Sequence, residues 1–152
     1  MNKRIIVGAD HGGFELKEKI ASHLKEKGYD LTDVGAYSPE SCDYPVFAHK
    51  LCKMIQSGEA PLGILVCGTG IGMSIAANKH KGIRAACCSD AFSARLTRLH
   101  NDANVLCLGA RVVGAGLALD LVDSFVSAEF EGERHAKRIS MFTEIEEGTI
   151  KD

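Results

Sequence analysis

The chain has 152 residues, of which 45% are hydrophobic and 25% are charged, a composition that suits one globular domain with its own core. Its formal net charge of −2 excludes the general positive field by which many proteins bind nucleic acid or acidic membranes. The N-terminal apolar run, Ile5–Val7, is too short for a signal peptide, and no stretch could span a bilayer. The expected location is therefore the cytoplasm.

Six cysteines raise the question of disulfides or a metal site. They are Cys42, Cys52, Cys67, Cys87, Cys88 and Cys107. The chain is long enough to fold without disulfides, and three of these residues lie in or at the end of apolar, strand-like runs, so reduced thiols are expected. No C-x-x-C or H-x-x-x-H pair occurs, and no metal site is predicted.

The first half of the chain begins with a continuous apolar strand, Arg4–Ala9, of the kind that is covered on both faces. A helix follows, with Leu16, Ile20 and Leu24 spaced four apart on one face, and Gly28 ends it. The next predicted elements are a short strand at 29–34, a loop at 35–45 and a helix at 46–56.

The second half begins with an apolar strand at 63–66 that leads into a glycine-rich turn at 67–72 and a helix at 73–79. The remaining predicted elements are a strand at 82–88, a helix at 90–99, a strand at 104–109, a helix at 115–127 and a charged final helix that begins at 132 and ends between 142 and 146.

Strands and helices alternate five times, which predicts a single three-layer, Rossmann-like α/β domain over residues 1–152. Its five-stranded parallel sheet would carry helices on both faces. Right-handed crossovers place every strand-to-helix turn at one edge of the sheet, where ligands of such folds bind. That edge would gather Asp10-His11, Cys67–Gly72, Ser89-Asp90 and Arg111.

The turn Cys67–Gly72 has glycine at every second position and joins a strand to a helix start. Glycine lets the backbone approach a ligand closely, and the free N–H groups of the first helical turn attract anions. A thiol beside the positive end of a helix is in a setting that favours the thiolate. The turn predicts an acid–base or nucleophilic cysteine at an anion site, although such turns and buried cysteines also occur without any ligand.

Asp10, His11 and Arg111 each follow a predicted strand. As functional groups they would bind a ligand at the strand ends, and Arg111 would bind an oxyanion. As ordinary residues, Asp10 would cap a helix and His11 would lie at the surface.

His100 and Asn101 come at the end of a helix, where a histidine also complements the helix dipole. Arg134 and Arg138 are four residues apart and share a helix face. Such a face is usually solvated, but two guanidinium groups can also hold a phosphate.

Gly68 and Gly70, followed by Asp90 about twenty residues later, partly match the dinucleotide-binding fingerprint. The third glycine of that motif would fall at Met73, and the turn lies in the third strand–helix unit. Dinucleotide binding therefore remains the weaker alternative.

Several segments resemble the type B ribose-5-phosphate isomerases, a family that also includes allose-6-phosphate and galactose-6-phosphate isomerases. The segments are VGADHGG at 7–13, DYP at 43–45, CGTGIGMSIAANK at 67–79, HNDANVLCLGAR at 100–111 and RHAKR at 134–138. The resemblance extends over nearly the whole chain. It implies an aldose–ketose isomerase that acts through an enediolate.

The resemblance also implies roles for individual residues. Cys67 would be the base that moves a proton between C1 and C2, and His100 would donate a proton in ring opening, with Thr69 nearby. Enediolate oxygens would be held by backbone N–H groups of the turn, formed by Gly68, Thr69, Gly70, Ile71 and Gly72. Substrate would contact Asp10, His11, Tyr44, Asn101 and Arg111, and phosphate would contact His11 together with Arg134 and Arg138 of the C-terminal helix.

One branch of the family uses a glutamate base where this chain has Met73, so the chain resembles the branch with a cysteine base. The resemblance implies no metal or other cofactor, and a homodimer or tetramer whose active sites draw on two subunits. Its expected substrate is ribose 5-phosphate, with allose or galactose 6-phosphate as the alternative. A non-enzymatic module that senses a nucleotide or sugar phosphate is the alternative from another functional class.

Overall fold

The computed structural model describes residues 2–152, which form five strands and six helices. In chain order these are β1 (Arg4–Ala9), α1 (Phe14–Glu26), β2 (Asp30–Asp33), α2 (Tyr44–Gln56), β3 (Leu62–Cys67), α3 (Ile71–Ala77), β4 (Ala85–Cys87), α4 (Ala91–Asn101), β5 (Val105–Gly109), α5 (Ala115–Val126) and α6 (Glu133–Glu147). All neighbouring strands are parallel, in the order β2-β1-β3-β5-β4. The predicted fold class is confirmed. No helix within residues 2–152 is long and apolar enough to cross a membrane.

Helices cover the sheet on both sides, which explains why the central strands are continuous apolar runs. Crossovers between parallel strands of one sheet are right-handed as a rule. The connection from β1 to β2 therefore places α1 on one face of the sheet. The connections from β2 to β3 and from β3 to β4 run in the opposite direction, so they place α2 and α3 on the other face. The first face has a core that includes Leu24 of α1 and Phe125 of α5. The second has a core that includes Leu51 of α2 and Met73 of α3.

The order in which strands are added to the sheet reverses between β1 and β3. From β1 the chain first moves outward to β2 and then returns to β3 on the other side of β1. At such a switch point the loops that follow two neighbouring strands turn to opposite faces of the sheet and leave a crevice for ligands between them. The Asp10 N–H donates to the Val66 carbonyl at 3.2 Å and joins the two strand ends. A side chain at Gly13 would collide with the same carbonyl, so only glycine lets α1 begin this close to β3.

Several element boundaries differ from the sequence predictions. The helix α3 begins at Ile71, two residues early, because Gly70 adopts a left-handed conformation (φ 78°) that completes the turn. Pro45 lies in the first turn of α2 and moves its start to Tyr44. The strand β4 is shorter than predicted, since the Asn78 side chain binds both the N–H and the carbonyl of Ala85.

The last helix, α6, packs against α4 and buries only His135. The helix α4 continues two residues past its predicted end, so His100 and Asn101 lie in its last turn. Three large apolar side chains of α6 are exposed, namely Met141, Phe142 and Ile145. The C-terminal helix thus presents an apolar surface as well as charged residues.

Candidate active site

Cys67 lies at the carboxyl end of β3 with only 5% of its surface exposed. Its Sγ accepts the Gly70 N–H at 3.1 Å, so the turn folds around the sulfur atom. A thiolate accepts such a bond more strongly than a thiol does, because a charged acceptor strengthens a hydrogen bond. The Thr69 hydroxyl accepts the Ile71 N–H at 3.3 Å and itself lies at the surface of the turn.

Close packing fixes the backbone of this turn. A Cβ atom on Gly109 would lie 2.7 Å from the Thr69 Cα, so the end of β5 is in direct contact with the turn. A Cβ atom on Gly72 would lie 2.7 Å from the Tyr44 Cζ. The Tyr44 ring therefore covers the start of α3 and forms one wall beside the turn.

Asp10 and Arg111 lie close together on the other side of Cys67. The buried Asp10 carboxylate accepts the Gly13 N–H at 3.0 Å through Oδ1. The exposed Arg111 guanidinium lies over Gly68, where a Cβ atom would be 3.3 Å from Nη1. The Arg111 N–H donates to the Gly68 carbonyl at 3.0 Å, which fixes the start of this segment. A carboxylate and a guanidinium thus flank the thiol-bearing turn.

His11 is held by the loop that follows β2. Its Nδ1 accepts the Cys42 N–H at 3.2 Å. A nitrogen that accepts a hydrogen bond carries no proton, so the ring proton resides on Nε2 and the imidazole is neutral. His11 can therefore offer an Nε2–H donor to a ligand, without a positive charge.

All six cysteines are unpaired. Burial raises the pKa of Cys52 to about 12, and burial with the nearby Cys87 raises that of Cys88 to about 11. Burial is also the main cause of the raised pKa of Cys87 and of the strongly raised pKa of Cys107. These four side chains remain protonated thiols at neutral pH.

His100 and Asn101 lie near the amino ends of the strands, at the side of the sheet opposite to the carboxyl ends. The helix α4 begins beside the carboxyl end of β4, where Asp90 caps it by accepting the Ser93 N–H at 2.7 Å. Its eleven residues span about 16 Å, at 1.5 Å per residue, and lead back to the amino edge. His100 and Asn101 consequently lie far from Cys67 of the same chain.

His100 contacts two residues that the sequence did not single out, Glu131 and His135. The His100 and His135 rings are stacked, with centroids 4.2 Å apart and planes 9° from parallel. Both Nε2 atoms approach the Glu131 Oε2, at 3.6 and 3.5 Å. Burial, then the nearby His100 and Arg134, lowers the pKa of His135, which keeps its ring neutral at neutral pH.

Among residues 2–152, His100, Glu131 and His135 form the one group of three side chains that could hold a metal ion. The sequence contains one weak signal for this group, because Glu131 and His135 are four residues apart, with Glu131 just before a charged helix and His135 in its first turn. Their contact with His100 depends on how α6 packs against α4, which the sequence does not show.

Arg134 and Arg138 are exposed on α6, on either side of the buried His135. The structure thus divides the predicted site residues between two places. The carboxyl edge holds Asp10, His11, Tyr44, Cys67, Gly68, Thr69, Gly70, Ile71, Gly72 and Arg111, whereas the other group holds His100, Asn101, Arg134 and Arg138.

The fold and the carboxyl-edge groups together define a parallel α/β protein in which a thiol, a carboxylate and a guanidinium lie near one another at the strand ends. The family model described as Ribose/Galactose Isomerase matches residues 5–142. The chain is 50% identical to the ribose-5-phosphate isomerase B of Escherichia coli K12 over 145 residues, which cover 95% of this chain and 97% of the relative.

Other comparisons agree. A putative sugar phosphate isomerase of Bacillus subtilis is 43% identical, with 97% of this chain and 99% of the relative covered. The Clostridium thermocellum ribose-5-phosphate isomerase B structure superposes with a TM-score of 0.94 at 52% identity, covering 97% of this chain and 99% of the other. The chain belongs to the ribose/galactose isomerase family, and the resemblance predicted from its motifs is confirmed.

Proposed function

We propose that the chain interconverts ribose 5-phosphate and ribulose 5-phosphate through an enediolate, with Cys67 as the base. The observation that carries this proposal is the near-buried Cys67 thiol, enclosed by the turn and bound to the Gly70 N–H at 3.1 Å. The relative in E. coli that is named for this activity is 50% identical over nearly its whole length, which supports the same substrate here.

In the forward reaction the Cys67 thiolate removes the proton from C2 of the open-chain aldose. The electrons move to the C1 carbonyl and give an enediolate. Its negative oxygen accepts backbone N–H groups of the turn at 68–72 other than those of Gly70 and Ile71, which already donate to the Cys67 Sγ and the Thr69 hydroxyl. The Cys67 thiol then returns the proton to C1, and the hydroxyl proton at O2 moves to O1 as the C2 carbonyl forms. The reaction uses one base, one acid and backbone donors, so it requires no cofactor.

Three side chains are proposed to hold the phosphate. Arg134 and Arg138 are exposed cations on one helix, and guanidinium groups bind phosphate through paired N–H donors. His11 adds its Nε2–H as a neutral donor, because Nδ1 is already occupied by the Cys42 N–H. The clamp thus obtains its positive charge from the arginines and an orienting hydrogen bond from the histidine.

The active site is proposed to form between two subunits of a homodimer. His100 is the proposed proton donor for ring opening, yet α4 carries it to the sheet edge away from Cys67. A two-fold axis would bring His100, Arg134 and Arg138 of one chain to the carboxyl edge of the other. Exposed apolar side chains beside the turn support such an interface, including Ile71, Ile75, Phe92 and Val112.

The proposed location is the cytoplasm. Six unpaired cysteines, among them an exposed Cys87, suit a reducing compartment. A reducing environment would also keep Cys67 available as a base.

Turnover of ribose 5-phosphate, with allose 6-phosphate in parallel, tests the proposed function. We expect the wild type to isomerise ribose 5-phosphate with the higher kcat/KM, and Cys67→Ala to lose turnover by at least about a hundredfold while still binding substrate. Cys42→Ala serves as the matched control, because its backbone N–H contact with His11 does not require the side chain. Normal turnover by Cys67→Ala would refute the assignment of the base, and substrate binding without turnover by the wild type would favour a sensing module.

A further inference from the structure

The cluster of His100, Glu131 and His135 has the composition of a metal site. Two imidazoles and one carboxylate with an open fourth position form a common zinc ligand set. We propose that these three residues bind a divalent transition metal ion, with Zn²⁺ as the type case, and that the bound ion inhibits the enzyme by withdrawing His100. This goes beyond the proposed reaction, which uses no metal.

The distances in the cluster fit a shared ion. Zinc bonds of 2.0–2.1 Å in a tetrahedron place neighbouring ligand atoms about 3.4 Å apart. The two His Nε2 atoms lie 3.6 and 3.5 Å from the Glu131 Oε2, and all three ligand atoms lie within 4.8 Å of one another. These separations are too long for good hydrogen bonds but close to those between ligands of one ion.

The His135 Nε2 is a second, independent indication. His135 is more than nine-tenths buried, and its Nε2 has no hydrogen-bond partner although it lies 3.5 Å from the Glu131 Oε2. Buried ring nitrogens are normally paired, so an unpaired one requires an explanation. A metal ion would supply the missing partner.

The backbone holds two of the three ligands in place. The Glu131 N–H donates to the Leu99 carbonyl at 3.0 Å, which fixes the segment before α6 to the last turn of α4. His135 lies in the first turn of α6 and is enclosed by neighbouring residues. Of the two histidines, only His100, with 34% of its side chain exposed, has room to change its ring orientation.

Metal binding requires that change. The rings are 9° from parallel, and lone pairs in parallel planes do not meet at one point. His100 must therefore turn out of the stack to share an ion with His135 and Glu131. The positive charges of Arg134 and Arg138 on the same helix oppose a cation, so the site should bind more weakly than a four-ligand structural zinc site.

A bound ion would occupy the nitrogen of His100 and fix the ring in the rotated position. The sugar ring would then lose its proton donor, although Cys67 and the turn remain intact. This inhibition rests on the proposed function, whereas the binding of the ion does not.

Binding is tested on the full chain by titration with Zn²⁺ in a calorimeter and with Co²⁺ by visible absorption. The wild type should show the strong visible bands of tetrahedral Co²⁺, and Glu131→Gln and His135→Asn should each weaken affinity at least about tenfold. Glu131 is exposed, so Glu131→Gln remains informative if His135→Asn fails to fold.

His80→Asn is the matched control. The His49 Nδ1 and the His80 Nε2 are 2.8 Å apart and form a second histidine pair, but without a carboxylate. This variant should bind metal as the wild type does. Equal affinity in wild type and Glu131→Gln, loss of binding in His80→Asn, or thiolate-to-metal charge-transfer bands would each overturn the proposed site.

Inhibition is then measured as the ratio of each protein's rate with Zn²⁺ to its own rate without metal. Zn²⁺ should inhibit the wild type reversibly, and Glu131→Gln should need at least about ten times more Zn²⁺ for the same ratio. Binding without inhibition would overturn the inhibitory role. A wild type that binds Co²⁺ yet isomerises no sugar phosphate would instead refute the proposed function and leave the metal site standing.

Discussion

Mixed dimers of two inactive variants test whether one active site draws on both subunits. Cys67→Ala damages the carboxyl-edge half of a site, and His100→Asn damages the half contributed by α4. About 16 Å of helix separates His100 from the carboxyl edge of its own sheet, far more than a hydrogen bond can bridge. In a heterodimer both defects therefore fall in one site, and the other site is complete.

The expected recovery follows from simple mixing. Equal amounts of the two chains, refolded together, give about half heterodimers, and each heterodimer has one intact site of two. The mixture should regain about one quarter of the wild-type specific activity towards ribose 5-phosphate. Initial rates are measured on the mixture and on the heterodimer isolated with two affinity tags.

A same-edge pair provides the control. Cys67→Ala mixed with Asp10→Asn leaves a defect in both sites, because both residues lie at the carboxyl edge. That mixture should show no recovery. Verified heterodimers of Cys67→Ala and His100→Asn that remain inactive, or a same-edge mixture that recovers, would refute the shared site.

Three further predictions concern binding and stability. Arg138→Ala should raise KM for ribose 5-phosphate about tenfold or more with a smaller change in kcat, because it removes a phosphate contact. Lys137 is exposed on the same helix, and Lys137→Ala should leave KM unchanged. An unchanged KM for Arg138→Ala would mean that Arg138 is only a solvated surface residue. Lys17→Met should lower the free energy of unfolding, measured in urea, by about 2–4 kcal/mol, because Asp33 loses the buried ammonium 2.7 Å away and the Ala36 carbonyl loses its donor. Lys19 is exposed on the same helix, so Lys19→Met should lower the free energy of unfolding by less than about 0.5 kcal/mol. Equal losses in the two variants would contradict the reasoning. The Ser93 N–H lowers the pKa of Asp90, so this cap stabilises the fold fully at neutral pH and loses its effect as the pH falls through that lowered pKa. Asp90→Ala should reduce the urea midpoint at pH 7, and the reduction should shrink steadily as the pH is lowered; a pH-independent difference would exclude the charge effect.

The fold could be predicted from the sequence because it depends on local patterns. Continuous apolar strands alternate with amphipathic helices, and parallel crossovers then determine which turns share an edge. This reasoning places Asp10, the turn after Cys67 and Arg111 at one edge, as the structure does. The start of α3 lies two residues before its predicted position, since the left-handed conformation of Gly70 depends on contacts with β5, which is distant in the sequence.

Contacts between distant segments could not be predicted. Packing of α2 against α3 brings the ring nitrogens of His49 and His80 within 2.8 Å, although the two residues are 31 positions apart in the sequence. The His11 tautomer likewise depends on Cys42, which is 31 residues away. Glu131 and His135 meet His100 only through the packing of α6, and the motif that contains His135 gave no indication of its burial.

The separation of His100 from Cys67 has a consequence for the concentration dependence of the enzyme. In the proposed dimer each isolated chain carries two half-sites, and neither half can complete a catalytic cycle. Catalysis and association then follow the same law of mass action, so the specific activity should fall when the protein is diluted below its dimer dissociation constant. A newly synthesised chain would become an enzyme only when it meets a second copy.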